Sequence, residues 1–287
     1  MSFTKIAVEI VTCLVVLLPT ALFAQGSSAV CDEGNGSLNA APLSGVTAQE
    51  ILEKVAAKET MFRQARNNYT YTQDIAVQTL DGSTVSGEYR LVQDIYYDEK
   101  GARLENVKFA PQPTLVDVTM SPSDFEDFRT MMAFILTTDD LPKYNLLYVG
   151  QQHVDEIDTY VFDIAAKTIE KGHRYFQGRI WVDNRDLQIV KSCGKTVPQV
   201  SAANSKKKKN VEEDLSPTFV TYREQVDGQY WFPTYTRADD VLHFRTNDVH
   251  IRETIKYTNY KRFGSTTRIV FKGEVKDDKN PQPAKKP

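Results

Sequence analysis

Cysteine is scarce, with three in 287 residues. Cys13 lies in the apolar N-terminal stretch, so only Cys31 and Cys193 remain for the body of the chain, and at most one intramolecular bridge is possible. No disulfide framework can therefore replace a hydrophobic core. Cys31 stands in a Gly/Ser/Asn-rich stretch and Cys193 on an expected strand, which reads as a thiol in a disordered leader and a small buried hydrophobe rather than a bridge. The four histidines, His153, His173, His243 and His250, form no H-x-x-x-H, H-x-H or His/Cys cluster, so no metal site is expected. Serine nucleophile elbows, P-loops and dinucleotide fingerprints are missing, and no cofactor or catalytic residue is expected. Aromatics interleaved with Lys or Arg on one strand are missing too, and a net charge of −3 favours neither nucleic acid nor an anionic membrane.

Long hydrophobic runs are confined to the N-terminus. Lys5 supplies a positive charge before the apolar residues 10–23, and small residues follow, so residues 1–24 read as a secretory signal peptide cleaved after Ala24 or as late as Ala29. An uncleaved membrane anchor is the alternative, but the run is shorter than the roughly 20 residues a span needs. Lipid attachment at Cys31 is disfavoured, because Ser28, Ala29 and bulky Val30 precede it. The mature chain is expected to be exported, most simply to the periplasm, with residues 25–46 a flexible leader.

Order is expected from Thr47. Thr47 and Glu50 form a capping box, and Ile51, Leu52, Val55, Phe62 and Ala65 recur at helical spacing, which gives an amphipathic helix over 47–66. The period then switches to two: Tyr69, Tyr71, Ile75 and Val77 share one face, while Thr70, Thr72, Asp74 and Gln78 share the other. Turns at Asp81-Gly82 and Lys100-Gly101 continue this strand into a meander with 85–97 and 103–109. Ser121 to Asp124 start a second helix carrying Phe125, Phe128, Met132, Ile135 and Leu136, which ends before Asp139-Asp140-Leu141-Pro142. Strands follow at 145–154, 159–166, 174–183 and 187–195. Residues 200–214, with Lys206 to Lys209 facing Glu212, Glu213 and Asp214, read as a mobile solvated loop. Strands at 218–226, 229–237, 241–244, 249–260 and a short run at 268–271 close the body, a single domain over 47–272, and 273–287 is a charged, Pro-rich disordered tail.

The fold class is therefore mainly β (α+β): about ten to eleven antiparallel strands in a curved half-barrel, with two or three helices covering the concave face. The adjacent acids Asp139-Asp140 and Asp239-Asp240 read as solvated turn residues rather than a glycosidase pair. His250 and Glu253, three apart on a strand, fall on opposite faces and read as surface positions. Trp181, Trp231, Tyr235, Tyr257 and Tyr260 recur along the late strands, as core fillers or as the lining of a cavity.

The stretch Phe176-Gln177-Gly178-Arg179-Ile180-Trp181-Val182-Asp183, a polar turn and then Leu187-Gln188-Ile189-Val190-Lys191 resembles the central hairpin of the LolA-like superfamily of exported lipoprotein-sorting and lipid-carrier proteins. The resemblance spans 47–263 and is architectural outside 160–191; the lysine run at 206–209 departs from it. It implies an incomplete barrel of roughly eleven strands whose hollow is closed by helices. On that footing the chain is expected to be a monomeric, non-enzymatic carrier that holds a lipid or lipoprotein acyl chain in an apolar cavity and serves outer-membrane lipoprotein sorting. Phe125, Phe128, Met132 and Ile135 would form the lid, and Trp181 and Trp231 would line the cavity. Membrane-associated proteins would be its partners, and nucleic acid would not. Two alternatives stay open: an interaction module whose core is filled, and a hydrolase with a scattered site.

Overall fold

The computed structural model describes residues 29–198 and 214–263. The expected signal peptide, the loop up to residue 213, the strand at 268–271 and the tail lie outside the described residues.

Alternation sets the strands. Tyr69–Asp81 (β1) turns through Gly82, whose φ of 60° suits a residue without Cβ, into Thr84–Tyr97 (β2), and Arg103–Phe109 (β3) completes the meander. After the helical segment come Tyr144–Val154 (β4), Ile157–Ala166 (β5), Tyr175–Asp183 (β6) and Ile189–Val197 (β7). Phe219–Gln225 (β8), Trp231–His243 (β9) and Asp248–Arg262 (β10) follow. The ten strands form one antiparallel sheet in the order β3-β2-β1-β10-β9-β8-β7-β6-β5-β4. The sheet is open, with β3 and β4 at its edges, so the architecture is mostly β and half-barrel-like.

The helix Ala48–Arg66 (α2) carries the expected capping box: the Thr47 side chain accepts from the Glu50 N–H, and Glu50 reaches back to the Thr47 N–H. Its stripe of Ile51, Leu52, Val55 and Phe62 is buried against one face of the sheet, here called the inner face. The second helix is shorter than its apolar spacing suggests. Pro122–Arg129 (α3) is capped by Ser121 and stops at Thr130, after which 130–138 has no regular structure and forms a strap across the inner face. Ile75 of β1, Ile95 of β2, Phe162 of β5 and Ile180 of β6 share one core cluster with Ile51 of α2 and with Phe128, Met132, Phe134 and Leu136. Strands far apart in the sheet thus meet on a single filled face.

The N-terminal segment overturns two expectations. Cys31 and Cys193 are bonded, with Cα atoms 5.5 Å apart and a sequence separation of 162. Nor are residues 35–39 loose: Gly36 N–H donates to His153 O at 2.7 Å, and Asn39 and Gln151 exchange backbone hydrogen bonds at 2.8 Å, which covers the β4 edge. Gly150 permits this, since a Cβ there would lie 2.4 Å from Asn39 O. A Gly/Ser/Asn-rich composition cannot bury apolar surface by itself, but a crosslink and an unpaired sheet edge supply tertiary partners that local composition does not reveal. The short helix Ala29–Asp32 (α1) begins this arm.

Candidate ligand-binding site

The arm lies on the outer face of the sheet. Over β5 to β8 it covers a second apolar cluster of Cys31, Val161, Trp181, Val190, Cys193 and Val220. Trp181 is fully buried there and donates from Nε1 to Gln152 at 2.7 Å. Trp231 packs at the cluster's margin and donates to Asp186 at 3.2 Å. Both therefore lie away from the inner face, where the lining of a cavity was expected, because they fall in the outward phase of β6 and β9. Lys191, also fully buried, sits beneath the arm between the rings of Trp181 and Tyr222, at 4.8 and 5.2 Å, and donates to Glu33 O and Asn35 Oδ1. Burial lowers its pKa to about 8.

On the inner face α3 and the strap bring three of the four expected lid residues into one cluster and place Ile135 in another. Phe128 and Met132 are 3% exposed, Phe125 packs partly buried beside them, and Ile135 turns to a small cluster of Phe62, Tyr69 and Phe232. Phe134 and Leu136 do as much: Phe134 stacks on Phe176 at 4.6 Å between ring centres, and Leu136 is fully buried. These side chains occupy the space expected to stand open. The cavity left beneath them measures about 10 Å³, room for about one water. The expectation of an unfilled hollow is corrected accordingly: the side chains of α3 and the strap pack into it.

Since the strap lacks a helix or strand, its buried carbonyls need partners elsewhere. The sheet supplies them from side chains. Thr221 Oγ1 donates to Met132 O at 2.5 Å and Arg223 Nη2 to Phe134 O, while Gln73 Nε2 donates to Phe128 O in the last turn of α3 at 3.4 Å. Arg223 also donates from Nη1 to both oxygens of Glu59, each at 3.1 Å, and neither residue's side chain is more than 2% exposed. Burial pushes the Glu59 carboxyl above its usual range against the pull of the Arg223 guanidinium. Two peripheral ion pairs hold α3: Arg174 grips Asp127 at 2.8 and 2.5 Å, and Arg129 grips Glu105 at 2.9 and 3.0 Å. Reading the sequence for apolar periodicity passed over these clasps. The signal was present, because Glu59 falls on the stripe of Val55 and Phe62, and Arg223 shares the inward phase of Phe219 and Thr221.

Glu253 corrects the expectation of a surface position. It is 6% exposed beneath α3, its Oε2 has no hydrogen-bond partner among the described residues, and burial raises its pKa to about 8. Its neighbour in sequence space, His250, lies on the outer face with Asp239 at 2.5 Å. Asp239 and Asp240 are strand residues pointing oppositely, since Asp240 accepts from Thr218 N at 2.8 Å while Asp239 binds His250 and Arg252. Asp139 and Asp140 lie in a turn beside Arg63, as expected of solvated acids. Among the described residues no group of three His, Cys, Asp or Glu is placed to hold a metal. Nor is any helix of them long and apolar enough to cross a membrane.

No family model matches the chain, and no curated protein matches it. Three solved structures are similar in part. A DUF1329 family protein from Desulfovibrio piger is 12% identical at a TM-score of 0.36, over 76% of this chain and 94% of its own. A domain from Vibrio parahaemolyticus that carries the name outer membrane lipoprotein-sorting protein is 10% identical at 0.35, over 77% of this chain and 95% of its own. The Pseudomonas aeruginosa MucA/MucB complex contains a chain 11% identical at 0.22, over 76% of this chain and 99% of that one.

Proposed function

We propose that this chain is an exported, non-enzymatic binding protein that takes an acyl chain of a lipid or lipoprotein on the inner face of its sheet. The structure is then its closed state, in which Phe128, Met132, Phe134 and Leu136 stand where the ligand would lie. The observation that carries this reading is the strap: this cover of the inner face has no helix or strand of its own and is tied down by sheet side chains at two carbonyls, those of Met132 and Phe134. A cover held by side chains rather than by a strand or helix ladder can leave without breaking the sheet's own hydrogen bonds, as lids do.

Magnitudes allow the exchange. Uncovering four large apolar side chains costs roughly 6–12 kcal/mol, at about 1.5–3 kcal/mol each. A sixteen-carbon acyl chain buried in their place returns roughly 11 kcal/mol, at about 0.8 kcal/mol per methylene. The two terms are of the same size, so a ligand can displace the strap without unfolding the sheet. Lipoprotein sorting in the periplasm, with membrane-associated partners, is the role that the hairpin resemblance suggests for such a carrier.

A second reading has one observation in its favour. Phe128, Met132, Phe134 and Leu136 are buried in the main core cluster, so the inner face equally suits a permanently filled core, and the protein would then be an exported interaction module. Native mass spectrometry of the protein made with its leader in a bacterial periplasm, together with uptake of a fluorescent fatty acid, separates the two. Co-purified lipid or saturable uptake supports the carrier; a ligand-free spectrum with no uptake leaves the module.

A further inference from the structure

The small cavity under the strap is lined by the apolar Phe62, Phe128, Ile135 and Phe232 and also by three arginines, Arg66, Arg103 and Arg129. An acyl chain alone has no use for them. Their counter-charges are few: Glu105 is shared, accepting from Arg103 Nε at 2.9 Å while Arg129 binds it twice, and the nearby Glu59 is taken by Arg223. Arg66 lies 5.0 Å over the Tyr97 ring, and its Nε is buried without a hydrogen-bond partner among the described residues. Arg103 also donates to Gln73 Oε1 at 2.7 Å, and Arg129, half out of water, has Glu126 nearby as well, so Arg66 is the guanidinium of the three with no ion pair among the described residues. The Tyr71 hydroxyl, which accepts from Arg103 at 3.1 Å, offers no further negative charge, because burial holds its ionisation far above the usual phenol range.

Burying cations in excess of anions is costly, and guanidiniums recognise carboxylate and phosphate oxygens through paired N–H donors. The geometry points to an anion subsite formed by Arg66, Arg103 and Arg129 at the mouth of the inner face, which receives the carboxylate or phosphate of an amphipathic lipid whose acyl chain replaces the strap. This rests on the carrier reading and adds the class of headgroup. The cavity holds about one water in the closed state, so the anion enters only as Phe128 and Ile135 leave.

Titration of the full mature protein with palmitic acid, hexadecyl phosphate, hexadecanol and inorganic phosphate tests the subsite. The acid and the alkyl phosphate are expected to bind about tenfold or more tightly than the alcohol. Arg66→Gln, which breaks no ion pair among the described residues, and Arg103→Gln are expected to remove most of that preference and leave hexadecanol affinity unchanged, with circular dichroism confirming the fold. Equal binding of acid and alcohol, insensitive to both variants, would overturn the subsite while leaving the carrier intact. Binding of inorganic phosphate that depends on Arg66, without binding of any chain, would assign the arginines to a free anion and overturn the lipid headgroup. No binding by any of the four probes would sink the carrier reading and the subsite together.

Discussion

Arg223→Met is the sharpest perturbation of the closed state. Arg223 meets both Glu59 oxygens at 3.1 Å, reaches Phe134 O, and stands 5.4 Å over the Phe62 ring, all out of water. Methionine keeps the packing and removes every donor. Glu59 would keep only the Ile189 N–H, at 3.3 Å, and the Phe134 carbonyl would lose the guanidinium. Breaking a buried ion pair from one side costs about 3–5 kcal/mol. Urea unfolding at pH 7.5 should report a loss of that size with an unchanged slope. The pH dependence gives a second handle. With its folded pKa raised above the ordinary 4.5, Glu59 contributes stability that is complete below 4.5 and lost as pH rises through the folded value. Removing Arg223 raises that value further, so the variant's deficit should shrink at pH 5 and grow toward pH 8. The double variant Glu59→Met/Arg223→Met should recover most of the loss, since two apolar partners of similar shape leave no charge behind. A single variant within about 1 kcal/mol of the parent at pH 7.5, or a double variant worse than the single, would refute the clasp.

Glu253, facing Asp124, Asp127 and Asp240 with a pKa of about 8, should make the parent lose stability between pH 4.5 and about 8, by up to about 1.4 kcal/mol per unit, whereas Glu253→Gln should not share that decline and should melt higher at pH 8. Parallel melting curves for the two proteins from pH 5 to 8 would contradict its burial. Cys31→Ser should cost about 2–5 kcal/mol in chemical unfolding and raise proteolysis of the arm, and thiol titration of the unfolded, unreduced parent should find neither Cys31 nor Cys193 free. Gly178→Ala should destabilise strongly, because its Cβ would lie 2.2 Å from Cys193 O and 2.5 Å from the Cα of Gly194, its partner across β6 and β7; wild-type melting would show that this close approach does not exist.

How much of this was readable in the residues differs by element. The Thr47 capping box, the alternation of Tyr69 to Val77 and the Gly82 and Gly228 turns act over a few neighbours, so α2, β1, β2 and the β8–β9 hairpin were legible. The length of α3 was not. Met132, Ile135 and Leu136 continue a helical spacing, but Thr221 and Arg223 of the distant β8 capture carbonyls of the strap and hold an irregular path. The disulfide and the ordered arm depend on the β4 edge and on Lys191, far away in sequence, and a local reading of Gly, Ser and Asn misses both. The apolar clustering of Phe125, Phe128, Met132 and Ile135 marked side chains that pack onto the inner face, though it did not separate Ile135, which joins Phe62, Tyr69 and Phe232. The tryptophans were misplaced because aromatic recurrence says nothing about which face of a covered strand is which.

Hydrogen exchange of the mature protein with and without palmitic acid tests displacement of the strap most directly. The account predicts that amides of 130–138 lose protection on binding while those of β1, β8, β9 and β10 keep theirs. Binding that leaves the strap as protected as before, or no binding under conditions where the sheet is intact, would contradict it.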